Sequence, residues 1–310
     1  MRVLITGGLG FIGAWTARVL LQQGHTVRTF DVHTNHETFD AILAAATTNT
    51  NDNAQHVEHV RGDITNAGVV EAAVTGCDAI VHLAAVLIPT ARQDPLLGAR
   101  VNVLGTLHVF EAARKSGIRN IAYASSAAVF GPDDGVHPEP RTHYGAYKLA
   151  NEGNARAYFH DAGINSVGLR PSTAYGPGRE IGVTADPTLA MRAAAEGNPY
   201  TIRFTGATGM DYVEDIGKIF ARAATETPPG AHVFSLQGQL ATMDDVLKAI
   251  HEVIPNAEVK AEGAPLMFAS ELDEKPLDAL FPNIHRTPLT EGTRKTIEFY
   301  RRNAVAAARD

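Results

Sequence analysis

Over roughly the first half of the chain, short apolar runs of strand length alternate with stretches whose apolar residues recur at helical spacing. Residues 3–5 read as a buried strand, 11–23 as a helix and 26–30 as a second strand, with Gly24-His25 as the helix stop, so the chain opens with a β-α-β unit. The rhythm continues with strands at 57–60, 78–85, 120–124 and 165–170, a long helix at 95–116 that contains Asn102, and another helix at 143–162. Strands and helices at this spacing imply a parallel, doubly wound sheet, with right-handed crossovers that bring the strands' carboxyl ends to one edge. Two regions depart from the pattern. Residues 33–55 form a polar insertion, predicted as a short helix at 37–46 followed by a Thr- and Asn-rich mobile loop at 47–53. Beyond 170 the pattern predicts a loop at 170–178, a helix at 186–196, a strand at 200–204, a return to the sheet at 211–215, a helix to 225, a strand at 232–236, and helices near 242–253 and 289–307. The resulting expectation is an α/β protein: a doubly wound parallel-sheet domain of residues 1–170 plus about 211–240, with a smaller lobe of 171–210 plus 241–310.

Composition narrows the function classes. With 310 residues and 45% hydrophobic content the chain can bury a sizeable core. Its net charge is −7 and its Lys and Arg residues are dispersed, so no basic stripe invites nucleic acid or an anionic membrane. The single cysteine, Cys77, excludes an intrachain disulfide. The amino terminus lacks the charged and apolar regions of a signal peptide, and no apolar run reaches membrane-spanning length, so a soluble cytoplasmic enzyme acting on a small molecule is expected.

The chemistry begins at Thr6-Gly-Gly-Leu-Gly-Phe-Ile-Gly13, between the first strand and the first helix. Gly7 permits a tight turn, Gly10 lets backbone N–H groups approach a pyrophosphate, Gly13 lets helix pack closely on strand, and the helix N-terminus faces the anion with unpaired donors. Asp31, at the end of the second strand, stands where a carboxylate accepts hydrogen bonds from an adenosine ribose. No Arg or Lys follows within residues 32–37 to hold a 2′-phosphate, so NAD is preferred over NADP. Asp63, just past the third strand, either touches adenine or caps the next helix. Leu83, Ala84 and Ala85 are small or apolar where ribose and phosphate would approach the fourth strand's end. His82 reads as a packed strand-end residue, because nothing nearby in the sequence supplies it with an orienting partner.

Tyr144 and Lys148 stand four apart and share a helix face, downstream of Ser125-Ser126 at the fifth strand's carboxyl end. An alcohol gives hydride to a nicotinamide only if its hydroxyl proton leaves too, which calls for a base near working pH. A free phenol titrates near about 10, and an adjacent ammonium favours the phenolate. Tyr144 is therefore assigned as base, Lys148 as the group that lowers its pKa and binds the nicotinamide ribose, and Ser126 as the hydroxyl that positions the substrate oxygen. His56-Val-Glu-His59 does not suggest a metal, since strand alternation separates His59 from His56 and Glu58. Residues 206–209 lack the Lys-Ser/Thr of a nucleotide loop and read as a turn.

The ordered set Thr6-Gly-Gly-Leu-Gly-Phe-Ile-Gly13, Gly62-Asp63-Ile64, His82-Leu-Ala-Ala85, Asn102 with Gly105-Thr106, Ser125-Ser-Ala-Ala-Val-Phe-Gly131, Tyr144-Gly-Ala-Tyr-Lys148, Arg170-Pro171, Tyr175-Gly-Pro177 and Tyr212-Val-Glu-Asp215 resembles the extended short-chain dehydrogenase/reductase superfamily, also called NAD-dependent epimerase/dehydratase. The resemblance implies a Rossmann-like domain with a smaller C-terminal substrate lobe, tightly held NAD(P), with Phe11, Ile12, Ile64 and Asn102 joining the cofactor contacts, and often a homodimer through the helices at 95–116 and 143–162. It also makes Ser125, Thr173 and Arg179 candidate substrate contacts. The chain departs from nucleotide-sugar epimerases, which usually carry Asn at the place of Thr173 and Arg at that of Met210 to hold a diphosphate; Arg179, Arg192 or Arg203 could compensate. Dehydratases place an Asp-Glu pair where Ala127-Ala128 stand, so dehydration is disfavoured. The leading expectation is an NAD-dependent oxidoreductase acting at a secondary alcohol or ketone of a small carbohydrate-like or hydroxy-acid substrate. The alternative is a sugar or nucleotide-sugar epimerase, and a distant third is a non-catalytic cofactor-binding regulator.

Overall fold

A parallel sheet covered on both faces requires strands that are apolar on both faces, and the main sheet is built this way: Val3, Leu4, Ile5, Ile80, Val81, Ile121 and Ala122 are fully buried. The computed structural model describes residues 1–45, 56–132 and 134–307, so the predicted loop at 47–53 and the last residue of the predicted helix at 37–46 lie outside it. The strands are β1 (Arg2–Thr6), β2 (Thr26–Asp31), β3 (Val57–Arg61), β4 (Ala79–His82), β5 (Asn120–Ala124), β6 (Asn165–Pro171), β7 (Thr173–Tyr175), β8 (Tyr200–Ile202), β9 (Ala207–Tyr212), β10 (Ala231–Leu236), β11 (Gln239–Thr242) and β12 (Val259–Ala261). Seven of them form one sheet in the order β10-β6-β5-β4-β1-β2-β3, parallel at every pairing. Chain order reverses at β1, whose neighbours are β2 and β4, and the crevice at such a switch point is where dinucleotides bind.

Helices Phe11–Gln22 and Val213–Thr225 pack together on one face of this sheet, burying Trp15, Leu20, Ile216 and Phe220, with Phe39 and Ile42 of helix Glu37–Ala44 beside them. Helices Ala67–Val74, Gly105–Ser116 and His143–Ala162 cover the other face through Val70, Val109, Phe110 and Ala155. A further apolar cluster, including Tyr175, Met191, Ile202, Met210, Val246 and Ile297, unites β7, β8, β9 and β11 with helices Asp186–Glu196, Met243–Val253 and Leu289–Ala307.

Four local differences from the sequence reading have physical causes. The predicted loop at 170–178 contains β7, which pairs with β9 and so is stabilised by residues some 37 positions away rather than by any local period. Asp211 and Tyr212 do not rejoin the main sheet; they end β9, in a three-stranded sheet ordered β11-β9-β7, and the main sheet resumes at β10. Gly206 is a turn, but Ala207, Thr208 and Gly209 already belong to β9. The helix at 95–116 is interrupted: Pro95–Ala99 and Gly105–Ser116 flank a π-helical turn at Arg100–Leu104. Such turns occur where an outside partner competes for a carbonyl. Here the Asn102 carbonyl accepts from Thr106 Oγ1 at 2.8 Å and from Asn151 Nδ2 at 2.7 Å.

Candidate active site

The glycine turn closes where the sequence places it. Gly7 has φ +67°, in the left-handed region, and donates to the Phe30 carbonyl at 2.8 Å. A Cβ at Gly13 would stand 2.4 Å from the Gly7 carbonyl oxygen, and one at Gly7 would stand 2.8 Å from the Ala84 nitrogen. Only backbone fits at either point, so the turn lies directly against the end of β4. Helix Phe11–Gln22 begins after Gly10 with no side-chain cap, which leaves first-turn N–H groups for a ligand.

These elements open onto a cavity of about 560 Å³. Gly7, Gly10, Phe11, Ile12, Gly13, Asp31, Asp63, Ile64, Leu83, Ala84 and Ala85 line one part of it, and Ser125, Ser126, Tyr144, Lys148 and Arg179 the other. Asp31 is buried, its carboxylate accepting from Leu9 N at 3.2 Å and His33 N at 3.1 Å. Asp63 Oδ1 accepts from the backbone N and the hydroxyl of Thr65, and the following helix is capped by Asn66 instead, so of the two readings of Asp63 the capping one is taken by another residue. The crevice fits a dinucleotide: glycines where a Cβ would collide, uncapped helix donors for a pyrophosphate and a fixed carboxylate for a ribose.

His82 is buried beneath the crevice and, contrary to the sequence reading, does have orienting partners. Its Nδ1 hydrogen-bonds Thr6 Oγ1 at 2.7 Å and its Nε2 hydrogen-bonds Thr106 Oγ1 at 2.9 Å. Burial, aided by the Lys148 charge, pushes its pKa down to about 3, so it is a neutral structural strut. Asn102 is not brought to the cavity wall. Its amide grips Val86 on both sides, accepting from Val86 N at 2.8 Å and donating to Val86 O at 2.9 Å, which fixes the chain leaving β4.

The catalytic candidates converge. Ser126 precedes a single 3₁₀ turn, Ala127–Val129, and its hydroxyl interacts with the Tyr144 phenol. Thr142 caps the helix that carries Tyr144 and Lys148, accepting from Gly145 N at 3.0 Å. Lys148 Nζ lies 5.5 Å from the Tyr144 ring centroid and donates to the Ala124 carbonyl at 2.6 Å. The electrostatics differ from the expectation. Burial pushes the Tyr144 phenol up, and the groups that draw it down are Arg179 and then the Ser126 hydrogen bond, rather than Lys148. Among the described residues Lys148 has no carboxylate partner, and burial pushes its pKa down to about 8.

Two candidate substrate residues are otherwise engaged. Thr173 is fully buried, bonds Thr208 Oγ1 at 2.9 Å and does not line the cavity, because β7 turns it into its own sheet. Ser125 donates to Glu152 Oε1 at 2.5 Å; Glu152, buried, also takes Arg170 Nε at 2.7 Å and Nη2 at 2.6 Å. Ser172, Thr184 and Phe268 line the cavity without a signal in the sequence reading, Phe268 from a stretch of no regular period. Among the described residues no helix is long and apolar enough to cross a membrane, and no group of three His, Cys, Asp or Glu could hold a metal.

Comparison with known proteins agrees with this geometry. Residues 3–235 match the NAD dependent epimerase/dehydratase family. UDP-glucose 4-epimerase of Mycolicibacterium smegmatis is 28% identical, over 97% of this chain and 99% of that protein. Human 3 beta-hydroxysteroid dehydrogenase type 7 is 32% identical, over 57% of this chain and 51% of its own length. The structure of Thermus thermophilus UDP-glucose 4-epimerase in complex with NAD superposes with a TM-score of 0.80 at 26% identity, over 97% of this chain and 99% of that one. The chain thus belongs to the NAD dependent epimerase/dehydratase family, and is an NAD-dependent enzyme built on the extended short-chain dehydrogenase/reductase fold.

Proposed function

We propose that the protein moves hydride at a secondary alcohol carbon of a carbohydrate-like substrate, with Tyr144 carrying the proton. The observation that supports this reading is the convergence of Ser126, Tyr144 and Lys148 on the cavity that the glycine turn opens. Bound NAD supplies the hydride acceptor. Ser126 holds the substrate oxygen, Tyr144 takes its proton, and Lys148, anchored on the Ala124 carbonyl, holds the ribose hydroxyls. Gly7, Gly10 and Gly13 with Phe11 and Ile12 receive the pyrophosphate, and Asp31 the adenosine ribose. We place the substrate over the part of the cavity lined by Ser172, Arg179, Thr184 and Phe268, against the smaller lobe.

Two outcomes of the hydride step are distinguished by different observations. The two UDP-glucose 4-epimerases that match over 97% of this chain favour epimerisation of a sugar or nucleotide sugar, in which the hydride returns to the opposite face of the keto form. Net oxidation or reduction of a small sugar or hydroxy acid is favoured by the poverty of diphosphate ligands other than Arg179. Met210 is buried and apolar, Arg203 is bound to Asp186 at 2.6 Å, and Arg192 to Glu196 at 2.8 Å. Neither arginine lines the cavity. We further read the protein as a cytoplasmic homodimer pairing the segment 95–116 and helix His143–Ala162, where Leu96 is 73% exposed. The test is to supply NAD with sugars, sugar acids and UDP-sugars. NADH accumulating in proportion to substrate identifies a dehydrogenase, product without NADH identifies an epimerase, and neither with any of the three classes refutes the hydride-transfer reading.

A further inference from the structure

Arg179 follows the tight turn after β7, partly buried, and forms part of the wall of the same cavity as Tyr144, Lys148 and Ser126. Its guanidinium carbon stands 5.5 Å from the Phe11 ring centroid, over the start of the glycine-turn helix. Gly182, at φ +112°, makes room for it: a Cβ there would come within 3.0 Å of Arg179 Nη2. Yet this arginine is poorly satisfied. Nη2 reaches Thr184 Oγ1 at 3.3 Å, while Nε is fully buried and has no hydrogen-bond partner among the described residues. No carboxylate pairs with it among the described residues, whereas Arg203, Arg192 and Arg286 all hold acids. Among the described residues the only acids lining the cavity are Asp31 and Asp63, at the ends of β2 and β3. A desolvated guanidinium with free donors is costly unless an oxyanion completes it.

We propose that Arg179 is the oxyanion receptor of this cavity, binding through paired N–H donors either the pyrophosphate of the dinucleotide or a carboxylate carried by the substrate. Its place over Phe11 faces the first source and its place beside Tyr144 the second; a terminal carboxylate held there sets an adjacent carbinol against the phenol. The same charge draws the Tyr144 phenol down, so an anion that neutralises Arg179 also weakens that pull. The inference rests on the dinucleotide-binding reading of the crevice but not on turnover.

Calorimetric titration of the wild type, Arg179→Met and Arg179→Lys tests it. The probes are ADP-ribose, AMP and, on the NAD-loaded protein, D-glucuronate against D-glucose. If the partner is pyrophosphate, Arg179→Met loses ADP-ribose affinity roughly tenfold to a hundredfold and keeps AMP affinity, with partial recovery in the Lys variant. If the partner is a carboxylate, ADP-ribose binding holds and glucuronate binding falls by the same factor while any glucose binding does not. Either result supports the receptor. ADP-ribose affinity unchanged with no Arg179-dependent glucuronate binding overturns it, as does an equal loss of AMP, which places the effect away from both anions. A failure of hydride transfer leaves these titrations intact, so the two readings fail separately.

Discussion

Replacing Lys148 by methionine should stabilise the cofactor-free protein at neutral pH while removing its function. Lys148 is 4% exposed and donates to Ala124 O at 2.6 Å, and among the described residues it has no carboxylate partner. Burial therefore penalises its charge, and its pKa falls from the ordinary 10.5 to about 8. Below pH 8 the folded and unfolded chains both carry the proton, and the folded one carries it at a cost of about 3 kcal/mol, taking 1.36 kcal/mol for each of the roughly 2.5 pH units between the two values. As pH rises the native state releases its proton first, so this cost fades, and about 2.5 kcal/mol of it is gone by pH 10. The methionine variant never bears it. Its own penalty, the orphaned Ala124 carbonyl, is about 1–3 kcal/mol and independent of pH. The assay is urea denaturation of both cofactor-free proteins from pH 7 to pH 10, read as the difference between their unfolding free energies. The wild type should gain about 2.5 kcal/mol on the variant across that range. A difference that stays constant with pH would refute the claim that an uncompensated ammonium is held there.

Two other predictions probe the framework. Asp31→Ala removes the carboxylate held by Leu9 N and His33 N, and should weaken NAD binding more than NADP binding in a fluorescence titration; equal losses would count against a ribose contact. Glu152→Gln leaves the Arg170 charge without its bidentate partner behind Ser125, and should cost about 3–5 kcal/mol of stability by urea denaturation; a loss under about 1 kcal/mol would show that the pair is solvated.

The parts of the fold legible in the sequence are those whose signals are local. Helix His143–Ala162 and strand β5 fall where the apolar pattern puts them; Thr142 caps the helix at one end, and Gly163, at φ +64°, ends it at the other. Strands β7 and β12, three residues each, have no period of their own and exist because β9 and β8 pair with them. The π-helical turn at Arg100–Leu104 leaves no mark on composition, since what diverts the Asn102 carbonyl is Asn151, from another helix. The site divides likewise. Glycines and the Tyr-Lys spacing announce themselves, because backbone collisions and helix faces are fixed by sequence separation. Thr173 and Asn102 read the same in sequence whether they face the crevice or hold it from behind, and only the packing of β7 and the hold on Val86 separate the two. The charge that draws Tyr144 down belongs to Arg179, which lies 35 residues from it in the chain, whereas spacing alone points to the nearer Lys148.

The central claim is that Tyr144 carries the substrate proton during hydride transfer. Its most direct test is a single-turnover measurement with wild type and Tyr144→Phe on whichever substrate turns over, reading NADH absorbance for a dehydrogenase and epimerised product for an epimerase, alongside NAD binding to both. NAD binding should be unchanged and the single-turnover rate should fall by about 10²–10⁴-fold in the variant. A phenylalanine variant that turns over within about threefold of the wild-type rate would mean that another group moves the proton.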